Sequence, residues 1–98
     1  MRDPEILAEV KATLALLTQR SPGRAIEVRI PPYAAVQCGA GPTHTRGTPA
    51  NVIEMDASTW LALASGERSW AEAMASGAIN ASGVRADLTE LLPLRMKP

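Results

Sequence analysis

Asn51-Val-Ile-Glu-Met55-Asp56-Ala-Ser-Thr-Trp60-Leu-Ala-Leu-Ala-Ser-Gly66 passes from one kind of local structure to another within a few residues. The run Asn51 to Met55 is rich in β-branched and apolar residues and reads as a short strand. Asp56 stands where a helix needs a side-chain acceptor for its unpaired first N–H groups. Trp60, Leu61 and Leu63 then supply an apolar helix face, and Gly66 is its stop. A strand feeding a capped helix points to mixed α and β structure.

Downstream, Ser69-Trp70-Ala71-Glu72 fits a capping box, in which Ser and Glu each bond the other's backbone N–H. It opens a second short helix that ends at Gly77. Ala78 to Ser82 reads as a strand with Gly83 as its turn. Leu88, Leu91 and Leu92 predict a last helix over 84–92, before Pro93.

Upstream, Ala25 to Ile30 alternates, with Ile26, Val28 and Ile30 on one face and Glu27 and Arg29 on the other. Pro31-Pro32 ends this strand because neither residue donates to a ladder. Tyr33 to Cys38 alternates again, grouping Ala34, Val36 and Cys38. Asp3-Pro4-Glu5 is a helix start, and Ile6, Val10, Leu14 and Leu17 continue at helical spacing. The spacing predicts a helix over 4–19, stopped by Ser21-Pro22-Gly23. The order is helix, three strands, two short helices, strand, helix. It predicts an α+β fold: a small mixed, mostly antiparallel sheet with helices packed on one face, its first three strands an antiparallel meander. Residues 1–98 read as a single domain.

Ten basic and ten acidic residues cancel, and neither sign forms a long run. A nucleic-acid partner is therefore not expected, since phosphate backbones demand a basic face. The longest strictly apolar run, Trp60 to Ala64, is far below the ~20 residues of a membrane span, so no stable membrane insertion is expected. No apolar signal core follows the N-terminus, and a cytoplasmic location is the expectation. Hydrophobic residues make up 46% of the chain, yet there is no Phe. The core must be aliphatic, and any cavity within it would be lined by aliphatic carbon.

Cys38 stands alone, so neither an internal disulfide nor a cysteine zinc site can form. With one His and one Cys, a metal site would depend on carboxylates, and neither a metal nor another cofactor is expected. The pair Cys38 and His44 could be read as nucleophile and base, but the plainer reading makes Cys38 buried filler. Glu54 and Asp56 do not form a general acid–base pair when Asp56 caps a helix. No catalytic residue is assigned, and the chain is not expected to be an enzyme.

Gly39 to Ala50 is the polar exception, with three glycines and two prolines. Its centre, Thr43-His44-Thr45-Arg46-Gly47-Thr48, reads either as an anion clamp or as a solvated connection. Trp60 and Trp70, at the starts of the two middle helices, could line a pocket or simply complete a core short of large side chains. Leu91-Leu92-Pro93-Leu94 reads as a flap, an oligomer contact or a packed helix end.

The segment Met55 to Gly66 resembles the strand, capping acid and glycine-terminated helix of the sterol carrier protein family. Ala73-Met74-Ala75-Ser76-Gly77 and the strand Ala78-Ile79-Asn80-Ala81-Ser82-Gly83 are similar to the steps that follow there. The resemblance covers residues 50–93 closely and 1–38 by architecture. The stretch Gly39 to Asn51 resembles a compact bacterial branch, the sterol-carrier orthologues, whose relatives include C-terminal domains of mycothiol-linked maleylpyruvate isomerase-like proteins. The resemblance implies an apolar tunnel between sheet and helices that holds lipid-like ligands. Val36, Met55, Trp60, Leu63, Trp70, Met74 and Leu88 are the expected wall, and His44, Thr45 and Arg46 the polar loop at its mouth. The implied partner is an apolar small molecule or fatty-acid-like ligand, with a second copy or a partner enzyme as further candidates. Two alternatives stay open: a protein-interaction scaffold with a filled cavity, and an accessory domain to a mycothiol-linked enzyme.

Overall fold

A computed structural model describes residues 3–41 and 51–95. Asp3 begins it as the N-cap, its carboxylate accepting from the backbone N–H of Glu5 at 2.8 Å and Ile6 at 3.3 Å. Helix α1 runs Pro4–Arg20 and buries Val10, Thr13, Leu14 and Leu17. Strands β1 (Ile26–Ile30) and β2 (Ala34–Cys38) follow as an antiparallel pair, with Val28 opposite Val36.

β3 (Val52–Glu54) does not extend this pair as a meander. It lies on the other side of β1, parallel to it, with Val28 opposite Ile53. β1 takes an inner place, and its inward residues Ile26, Val28 and Ile30 are all buried. Asn51 sets the register: its Nδ2 donates to the Ala25 carbonyl at 2.8 Å, and its own carbonyl accepts from Glu27 N at 2.9 Å. β4 (Asn80–Ser82) pairs antiparallel with β3, giving the order β2-β1-β3-β4. The sheet is thus mixed and mostly antiparallel, as its alternation predicts.

Between β3 and β4 come α2 (Ala57–Ser65) and α3 (Trp70–Ala75). Asp56 accepts from Thr59 N at 2.8 Å, Gly66 closes α2 at φ 85°, and both halves of the Ser69–Glu72 capping box are made. The inner sheet row Val36–Val28–Ile53–Ala81 faces α1 and α2, whose Leu14, Leu17, Trp60 and Leu63 share its core. The other sheet face carries Glu27, Arg29, Gln37, Glu54, Asn80 and Ser82, with Arg29 paired to Glu27 at 2.5 Å.

The last helix predicted over 84–92 shrinks to one 3-10 turn, Thr89–Leu91. Its would-be first turn is taken by other bonds. The N–H of Arg85 goes to Asn51 Oδ1 at 2.9 Å, and the Asp87 carboxylate accepts from Thr89 N at 2.8 Å. Beyond the turn the chain crosses back over the helices. Leu94 N and Arg95 N both donate to the Ala64 carbonyl, at 2.9 and 3.1 Å, and Leu94 is 6% exposed. No helix among the described residues is long and apolar enough to cross a membrane.

Candidate functional site

The strand register gathers the start of β1, the end of β2, the start of β3 and the end of β4 at one end of the sheet. The end of α1 joins them, because Gly39 N donates to the Ser21 carbonyl at 2.8 Å. Two backbones meet closely here: a Cβ on Gly23, at φ 141°, would sit 2.0 Å from the Gly39 carbonyl oxygen. A hollow of about 600 Å³ opens at this end, within the ~300–1,000 Å³ range of small-molecule sites.

Its floor is part of the core, for Ile26 lines it while being only 7% exposed. Leu91 and Ala40 add apolar surface, and Ser21 and Thr89 add hydroxyls. Among the described residues the charged lining comes from one short segment: Arg85, Asp87 and Glu90. Leu88 lies between those residues in sequence yet turns inward, with no exposure. Hydrogen bonds from the Thr89 hydroxyl and backbone N–H, both to Oδ1, hold the Asp87 carboxyl below the usual aspartate range. Gly41 and Asn51 both meet this rim at Arg85. A Cβ on Gly41 would sit 3.1 Å from the Arg85 guanidinium carbon, and Asn51 accepts from the Arg85 backbone.

The segment carrying these groups is bolted to α1. Arg20 Nη1 donates to the carbonyls of Leu91 and Pro93 at 2.9 and 2.8 Å, and Nη2 donates to that of Leu94 at 3.1 Å. Arg95 adds an exposed ion pair to Glu9 at 2.6 Å.

Of the residues expected to wall a tunnel, Met55, Trp60, Leu63, Trp70 and Leu88 come together in one buried cluster, with Val36 partly buried against it. Met74 is 42% exposed. None of the seven lines the hollow at the sheet's end. His44, Thr45 and Arg46 lie outside the described residues. Sequence reading passed over Arg85, Asp87 and Glu90 because their segment looked helical. The Gly83 turn and the Asp87-Leu88-Thr89 step, a capping signature inside the predicted helix, were the available signals.

Cys38 is fully buried, and burial pushes its thiol up, the opposite of what a thiolate nucleophile needs. Asp56 is a cap: the Thr59 backbone N–H holds its carboxyl down, which sets it apart from the raised pKa of a general acid. No group of three or more His, Cys, Asp or Glu able to hold a metal occurs among the described residues.

Among curated proteins, no sequence matches the chain. Residues 3–94 match the family described as bacterial SCP ortholog, a span from the α1 cap to the segment that Arg20 fastens. The chain therefore belongs to the bacterial branch of the sterol carrier protein family.

Proposed function

We propose that the domain binds or carries an apolar small molecule, which enters at the 600 Å³ hollow. One observation carries the reading beyond family membership: the floor of the hollow is Ile26, a member of the hydrophobic core. An aliphatic chain resting there leaves water for core carbon, at roughly 0.8 kcal/mol per CH₂. Leu88, in the segment that lines the hollow, is fully buried, and that segment is held by the Asp87–Thr89 and Arg20–Leu91 bonds. Opening is then a local event that leaves the sheet intact.

The test is titration of the purified protein with a neutral apolar probe, N-phenyl-1-naphthylamine, and with fatty acids, alongside native mass spectrometry for co-purified molecules. Enhanced probe emission together with a tryptophan spectral change supports the reading. A flat response in both, with no co-purified mass, overturns it.

A second reading is favoured by the packing of Trp60, Leu63 and Leu88, each at most 1% exposed. On that reading the interior is filled by its own side chains, and the domain is an interaction module. The same titration separates the two.

A further inference from the structure

We propose that the rim of the hollow selects a zwitterionic amphiphile, a molecule carrying both an anionic group and an ammonium group on an aliphatic chain; the inference rests on reading this hollow as the ligand site. Among the described residues the rim has one cation and two anions. Arg85 is held in place from behind, since its N–H is bound to Asn51 Oδ1 and Asn51, 3% exposed, is tied to the Ala25 carbonyl. No described residue accepts a hydrogen bond from its guanidinium. That leaves a fork of donors suited to a carboxylate, sulfonate or phosphate oxygen.

Asp87 is fixed in the same manner. Both of its bonds from Thr89 fall on Oδ1, and Oδ2 has no donor among the described residues. These bonds favour its ionised form, so the acid presents negative charge throughout the neutral range. Glu90 lies on the same rim.

With Arg85 at +1 and Asp87 and Glu90 at −1 each, the described rim sums to −1. A simple fatty acid would gain one cation and meet two carboxylates. A simple alkyl ammonium would gain two carboxylates and meet the cation. A head group bearing both signs finds a partner for each charge, while the tail covers Ile26 and Leu91. Like-charge contact penalises the two single-sign classes, which is how mixed-charge surfaces discriminate.

The experiment is displacement of N-phenyl-1-naphthylamine from the intact protein at low ionic strength. The competitors share a twelve-carbon chain and stay below micelle-forming concentrations: dodecylphosphocholine, laurate, dodecyltrimethylammonium and dodecanol. The expected result is half-displacement by dodecylphosphocholine at about threefold to tenfold lower concentration than by laurate or dodecyltrimethylammonium. Arg85→Gln should erase its advantage over dodecyltrimethylammonium. Glu90→Gln with Asp87→Asn should erase its advantage over laurate. Laurate equal to or better than dodecylphosphocholine on the unaltered protein overturns the proposal without recourse to variants. If the probe binds and dodecanol displaces it but all four competitors rank alike, the hollow takes apolar chains and the head-group inference alone fails. Absence of probe binding and of a tryptophan response, with no co-purified mass, removes the proposed function and this inference with it.

Discussion

Thr13 on α1 receives the indole N–H of Trp60 on α2 at 2.8 Å, with both side chains removed from water. The hydroxyl proton in turn points to the carbonyls of Glu9 and Val10, at 2.7 and 3.0 Å. This bond is the polar link between the two main helices, and it allows the core's largest side chain to be wholly enclosed. Thr13→Val should leave the indole N–H unpaired and cost about 1–3 kcal/mol in urea unfolding. Thr13→Ser, which keeps the acceptor, should cost clearly less. A loss in Thr13→Val no larger than that in Thr13→Ser would show that the bond contributes no more than the methyl serine lacks.

Arg20 places both terminal guanidinium nitrogens on the backbone of residues 91–94. Arg20→Ala should strip hydrogen-exchange protection from the amides of Leu94 and Arg95, which donate to the Ala64 carbonyl. Global stability should fall by about 1 kcal/mol, a modest loss because the side chain is exposed. With residues 91–94 loosened, the same variant should take up the neutral apolar probe faster.

Asp56 carries a pH dependence. Its carboxyl in the folded chain lies below the ordinary value of about 3.9, chiefly through the Thr59 backbone N–H. A depressed acid stabilises the fold above its unfolded pKa, and that contribution fades as pH falls through the lower folded value. Asp56→Ala should cost about 0.5–2 kcal/mol at neutral pH. Asp56→Asn should cost less there and flatten the acid limb of the stability profile, as read by thermal melts between pH 3 and 7.

Cys38, buried on β2 with its thiol pushed up, should resist thiol-specific reagents in the folded protein. Its labelling rate should rise in step with the unfolded fraction as urea is added. Fast labelling in native buffer would show instead that this end of the sheet opens readily.

The elements with strong local chemistry were legible in the sequence. Asp3-Pro4-Glu5 and the Ile6–Leu17 spacing placed α1, and Asp56, Gly66 and the Ser69–Glu72 box bounded α2 and α3 within a residue or two. Alternation placed β1 and β2 but not the partner of β3. Parallel pairing is a nonlocal choice, made by the burial of β1 and the two bonds of Asn51. The last helix failed for a related reason, since leucine spacing was outweighed by hydrogen bonds drawing Arg85 and Asp87 elsewhere. The same misreading hid the charged rim. Those three side chains gain their meaning from residues far off in the chain, such as Ile26 and Gly39, that close the other side of the hollow.

Fastening Leu91, Pro93 and Leu94 to the far end of the first helix turns an open chain into a closed loop. A pull on one side is shared with the other, so the first helix and the last described residues should come apart together. Unfolding under tension from either side would then pass through a single yield point, with the Arg20 clasp as the link that gives.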